Sequence, residues 1–174
     1  YDEQPKNRNF LAPTGFKLDL DLFAGVDFYC QRASIPDINV PNAIVPTPFR
    51  PVPIISSGGL SYGDLRVTFI IDEDMTNYIN VWNWIQKNNL GEGFSDSEPE
   101  YSDGRLLILN SNFKENIIIG FEQLFPVDLS EVSFDVGDTE VEYLTADVTF
   151  KFVRYTFNNK RMKKLWNLMT WEHS

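Results

Sequence analysis

The sequence predicts a mainly β domain: an antiparallel β-barrel or sandwich of about seven strands, with one flanking α-helix and a short C-terminal helix. Three observations carry this. Residues 142–157 alternate almost without a break from Leu144: Ala146, Val148, Phe150 and Phe152 share its side, and Thr145, Asp147, Thr149, Lys151 and Val153 take the other. That period of two marks a strand with one buried face and one largely polar face. Residues 16–22 alternate in the same way. Only one internal stretch, after Asp74, spaces its apolar residues for a helix. The 142–157 strand exceeds the usual strand length of roughly five or six residues. A long, half-wet strand needs a sheet that bends into a barrel or continues into neighbouring subunits.

In chain order, residues 1–15 are polar, carry Pro5 and Pro13, and read as an N-terminal arm. The β domain spans 16–157. In its first strand Phe16, Leu18, Leu20 and Leu22 face the core, while Lys17, Asp19 and Asp21 face out. Ala24-Gly25 is a turn, and 26–31 returns as the partner strand of a hairpin. Cys30, the one cysteine, lies on the apolar side of that strand with Val26 and Phe28, which reads as a buried structural thiol.

Residues 35–53 hold Pro36, Pro41, Pro46, Pro48, Pro51 and Pro53, so this stretch is extended but is no central strand. It is nevertheless apolar, with Val40, Ile44, Val45, Phe49 and Val52, and Ile54 follows. A long loop so composed either lies along its own domain or reaches onto a neighbour. After Ser56-Ser57-Gly58-Gly59, Leu65, Val67 and Phe69 alternate with Arg66, Thr68 and Ile70 as a strand. Asp72-Glu73-Asp74 closes it and opens the helix, with Asp74 as expected N-cap. Met75, Tyr78, Ile79, Trp82 and Ile85 form the stripe expected to pack on a sheet; Trp84 falls off it and is expected to be partly exposed. An acidic loop, 91–104, precedes two short apolar strands at 106–109 and 117–121. A further strand is expected at 132–135, before the Gly137-Asp138 turn. The chain closes in a basic amphipathic segment, 158–174, where Lys160, Arg161, Lys163 and Lys164 stand beside Leu165, Trp166, Leu168, Met169 and Trp171. Such a segment docks on a membrane, a partner, or an acidic surface. Its own acidic body or a neighbour's is favoured.

Composition narrows the function. Fifteen basic against twenty-five acidic residues, net charge −10, argue against wrapping nucleic acid, which depends on Lys and Arg. The single histidine, His173, stands one residue from the end, and zinc-binding Cys/His clusters are absent. Gly58-Gly59 lacks the lysine and spacing of a phosphate loop. Asp72-Glu73-Asp74 is explained by helix capping before cation binding. No enzyme activity and no cofactor are expected. No run approaches the roughly 18 apolar residues of a membrane span, and no membrane binding is expected. The chain begins at Tyr1, not Met, which leaves an upstream start or leader open.

From about Phe16 to Tyr155 the chain resembles the tail-tube proteins of contractile-tailed, T4-like bacteriophages. The resemblance rests on Phe28-Tyr-Cys30-Gln31 with Ala33 and Ile35-Pro36, then Pro48-Phe49, Gly58, Gly59 and Tyr62. Val67-Thr68 before Asp72-Glu73, the Trp82/Trp84 helix, Phe125-Pro126, Leu129, Phe134-Asp135, Val148-Thr149-Phe150 and Tyr155 complete it in order. It implies a structural virion protein of the inner tail tube, made in the host cytoplasm. Homo-hexameric rings would stack into a channel that conducts genomic DNA without binding it specifically, with sheath and baseplate proteins as partners. In that setting Lys17, Asp19, Asp21, Asp147 and Lys151 are candidates to face the lumen, where carboxylates repel phosphates. Val40, Ile44, Val45, Phe49, Val52 and Ile54 are inter-subunit candidates, and Lys160, Arg161, Lys163, Lys164, Trp166 and Trp171 are partner-docking candidates. The basic segment departs from tube subunits, which usually end soon after the last strand; a tube-initiating baseplate protein and a tail terminator of the same fold are the alternatives. A cell-surface or carbohydrate-binding β-domain using Trp84, Tyr101, Trp166 and Trp171 is the reading from another class.

Overall fold

The computed structural model describes residues 15–23, 28–55, 58–89, 98–109, 114–137 and 143–159. Residues 1–14 of the N-terminal arm, the Ala24-Gly25 turn and residues 160–174 of the C-terminal segment, with its expected helix, fall outside them. In chain order the strands are β1 (Phe16–Leu20), β2 (Tyr29–Ala33), β3 (Ile38–Asn39), β4 (Asn42–Val45), β5 (Val52–Ile55), β6 (Ser61–Tyr62) and β7 (Leu65–Ile70). Helix α1 (Thr76–Asn89) follows, then β8 (Ser102–Leu109), β9 (Glu115–Leu129), β10 (Thr145–Lys151) and β11 (Arg154–Asn159).

Six strands run in the order β1-β8-β9-β10-β7-β2, all antiparallel, and β11 pairs with β9 beside them. A bridge between Leu18 and Phe28 joins the two ends of that order, so the sheet closes into a barrel. Of the expected β1–β2 hairpin the described residues show this bridge and a backbone hydrogen bond from Leu18 to the Cys30 thiol, not a ladder. β1 instead takes β8 as its ladder partner and β2 takes β7. Alternation identified both strands but carries no information on which strand each pairs with.

The expected long strand at 142–157 is two strands. Alternation holds through Ala146, Val148 and Phe150, all buried, and then breaks at Phe152-Val153. Leu144, expected inside, is 40 % exposed. β10 then lies against the far half of β9 and β11 against its near half. The long strand is β9, 15 residues, where only a short strand at 117–121 was expected. It turns a corner at Gln123, whose φ is 53°. There the buried series Ile119, Phe121 resumes at Leu124 and Pro126, one residue out of step, because a bulge inserts an extra residue. The Asp103 carboxylate accepts the Gln123 N–H at 3.1 Å, and Val153 N–H donates to Glu122 C=O at 3.0 Å, so both crossing strands bend together. Residues 132–135 form no strand; only Val132 among them packs on the core. Ser102, Asp103 and Gly104, expected in a loop, begin β8.

Leu18, Leu20, Leu65, Val67, Phe69, Phe121 and Phe150 fill the barrel, and α1 covers it with Val81 and Trp84. Each such side chain, removed from water, contributes about 1.5–3 kcal/mol before entropy is counted. Of the expected stripe Tyr78 and Ile85 do pack against the core, whereas Ile79 and Trp82 do not, and the buried face is centred on Val81 and Trp84. Trp84 is 2 % exposed and donates its indole N–H to Glu100 C=O at 2.8 Å, while Trp82 is 49 % exposed and Ile79 is also outside. The phase is set by the helix start. Met75 sits at φ 54° outside the helix and accepts the first helical bond from Ile79, so Asp74 does not cap. Asp72 does, its carboxylate taking the Asn77 N–H at 3.4 Å. Buried Asn77 donates its amide to Ile70 C=O at 2.8 Å and accepts from Tyr78 N–H at 2.8 Å, which locks the helix to the end of β7.

Candidate assembly surface

Residues 37–62 leave the barrel as an arm. β3 pairs with β6 at its base, and β4 pairs with β5 beyond, from Asn42 opposite Ile55 to Val45 opposite Val52. Pro53 opposes Ile44 without penalty, because a two-stranded ribbon leaves one side of every strand unpaired. Val40, Ile44, Val45, Val52 and Ile54 are all exposed, and Phe49 at the tip is 98 % exposed. The tip is a turn in which the Thr47 hydroxyl donates to Arg50 C=O and accepts from Arg50 N–H at 3.3 Å. So the arm does not lie along its own barrel. Uncovered apolar surface on this scale marks an interaction site.

The base of the arm is fixed. Tyr155 donates its hydroxyl to Pro36 C=O at 2.9 Å, and Gly63 N–H donates to Asp37 C=O at 3.0 Å. A Cβ at Gly63 would fall 1.9 Å from the Asp37 carboxylate, so a larger residue there must displace that side chain. Tyr155 also packs on Tyr62, Phe121, Phe152 and Phe157, with ring centroids 5.4–5.8 Å apart.

The strands carry two polar outer faces. On the first, Arg105 of β8 reaches Asp19 and Asp21, each at 3.1 Å, and Arg154 meets Glu122 at 2.6 Å. That contact holds the Arg154 guanidinium even more firmly protonated than usual. Lys17 points out on the same strand as Asp19. On the second, Thr68 donates to Asp147, Ser130 Oγ accepts the Asp147 N–H at 2.8 Å, and Lys151 pairs with Asp64 at 3.2 Å. The structure groups Lys17, Asp19 and Asp21, and separately Asp147 and Lys151. It does not bring the two groups together, because β1 and β10 are three strands apart either way round the ring of six. Arg105, Arg154 and Glu122 were not singled out from the sequence: their roles depend on strand neighbours far away in the chain. The docking candidates Lys160, Arg161, Lys163, Lys164, Trp166 and Trp171 lie outside the described residues.

Chemistry for catalysis does not gather. Among the described residues no group of three or more His, Cys, Asp or Glu is placed to hold a metal. No described helix is long and apolar enough to cross a membrane. Burial pushes the Cys30 thiol up to about 11, despite an opposing backbone hydrogen bond at Leu18. A carbohydrate platform loses Trp84, which is inside.

With this geometry the fold finds its likeness among contractile injection systems. A chain of the anti-feeding prophage tube-terminating cap matches with TM-score 0.67 at 15 % identity, over 90 % of this chain and 96 % of that one. A chain of the PVC extracellular contractile injection system, in its extended sheath–tube complex, matches with TM-score 0.65 at 12 % identity, over 87 % and 93 %. A chain of the anti-feeding prophage baseplate matches with TM-score 0.62 at 10 % identity, over 83 % and 91 %. No protein-family model matches the sequence, and no curated protein does. What is shared is the fold of the wider injection-system group, which is broader than the T4-like tail-tube proteins the sequence resembles.

Proposed function

We propose that this chain is a structural, non-enzymatic subunit of the inner tube of a contractile phage tail, assembling as stacked hexameric rings around a DNA-conducting channel. The observation that carries it is the arm: a paired hairpin, apolar on a scale that its own barrel leaves uncovered. A neighbouring subunit supplies the missing cover. One of the two polar faces lines the channel in this reading, and sheath and baseplate proteins contact the outside. The segment from Lys160 to Trp171 docks there, on an outer partner or an adjacent subunit. The protein is then made in the host cytoplasm and resides in the virion. Negative-stain microscopy of the purified protein at rising concentration tests this. Six-fold rings and tubes are expected; a monomer at every concentration overturns it.

The likeness extends to the chains from a baseplate and a tube-terminating cap as well as a sheath–tube complex. It supports an initiating or terminating subunit as the second reading. Such a subunit forms single rings that do not stack on themselves.

A further inference from the structure

At the end of α1 opposite its cap, Asn88, Pro99, Tyr101, Phe125, Pro126 and Val127 line an open cleft of about 360 Å³. Tyr101 and Phe125 form its aromatic wall, edge to face with centroids 5.6 Å apart, and Tyr101 and Val127 remain exposed. Exposed Glu98 directly precedes Pro99 of the lining in the chain, and 91–100 is acidic in sequence. The arm tip is the chemical complement. It presents Phe49 between Pro48 and Arg50, with Pro46 and Pro51 flanking, all exposed. Aromatic-lined grooves accept proline-rich extended segments because these lose little entropy on binding. The Glu98 carboxylate, next to Pro99, offers a partner of opposite charge to Arg50.

We propose that the Phe49-Arg50 tip of one copy docks in the Tyr101/Phe125 cleft of a second copy of this chain. The cleft of its own copy is not the receiver, since the fixed arm leaves Phe49 in solvent and Tyr101 uncovered. Donor and receiver are different surfaces, so the contact is head-to-tail and propagates into a closed ring or a stack. A tip of a few residues binds weakly alone and gains from repetition round a ring. The inference rests on the tube reading and names its receiving surface.

Oxidative cross-linking tests it in a Cys30→Ser background, because the native thiol is only partly buried. The double variant Pro48→Cys/Val127→Cys, which keeps Phe49 and Tyr101, is expected to give a covalent ladder of dimer, trimer and higher species on a non-reducing gel. Either single variant is expected to stay monomeric there. Rings in micrographs with no ladder from the double variant would overturn the docking site while leaving the tube reading intact. Absence of both rings and ladder would overturn both. Arg50→Glu is expected to lower the assembled fraction severalfold, and Glu98→Arg in the same chain to restore it. An Arg50→Glu variant that assembles like the parent also counts against the site.

Discussion

Tyr155, on β11, holds the arm in place through its hydroxyl on the carbonyl oxygen of Pro36, 2.9 Å away and 119 residues earlier in the chain. The bond ties the last described strand to the point where the hairpin leaves the barrel. Tyr155→Phe keeps the aromatic packing and removes the donor. It is expected to cost about 1 kcal/mol in urea unfolding and to speed amide exchange in β3 and β4. Unchanged exchange there would show that the aromatic ring alone fixes the arm.

The two helix tryptophans are expected to behave oppositely. Trp84→Ala empties a buried site and removes the bond to Glu100, for a loss of about 3–5 kcal/mol. Trp82→Ala, on the open face, is expected to stay within about 0.5 kcal/mol. Equal losses in denaturant titrations would refute the helix phase described above.

The polar faces make a prediction about DNA passage. In assembled tubes, Asp19→Lys with Asp21→Lys and, separately, Asp147→Lys with Thr149→Lys place added cations on opposite walls of the barrel. Only one of the pairs is expected to slow DNA release, and the effect should fade as salt rises. Release slowed by both pairs, or by neither, would contradict a channel lined by one face.

Cys30 supplies a pH prediction. Its thiol pKa rises from the model-compound 9.0 to about 11 in the folded chain. The folded state therefore holds a proton that the unfolded state has released between those values. Stability is unaffected by this group below pH 9 and declines as pH rises toward 11. Cys30→Ser is expected to flatten that decline in thermal melts, and native Cys30 should resist thiol reagents at neutral pH.

Alternation made much of the barrel legible: the inward positions of β1, β7 and β10 were readable because a half-buried strand repeats every two residues. Pairing was not. Whether β1 joins β2 or β8 depends on residues more than eighty positions away, such as Leu106 opposite Leu18. The corner was hidden for a related reason. A bulge at Gln123 shifts the pattern by one residue, so of a 15-residue strand only 117–121 was read. Helix phase was legible in Tyr78 and Ile85 but not in Trp82 and Trp84, and the helix start was misplaced because Met75 in a left-handed conformation moves it beyond Asp74. The arm's apolar content was plain in Ile44, Phe49 and Val52, but that it forms a paired hairpin was not, with four prolines from 46 to 53.

Because β9 belongs to both halves of the barrel, neither wall has an independent melting event available to it. Unzipping β8 and β11 from its near half, or β10 from its far half, loosens the same corner at Gln123, where the Asp103 bond closes the bulge. A subunit built this way carries load as a strut: pulled along β9, hydrogen bonds on both sides of the bend are strained in parallel instead of opening one after another. Such a body transmits displacement from one end to the other with little change of its own shape, and any bore it helps to build keeps its diameter while the surroundings move.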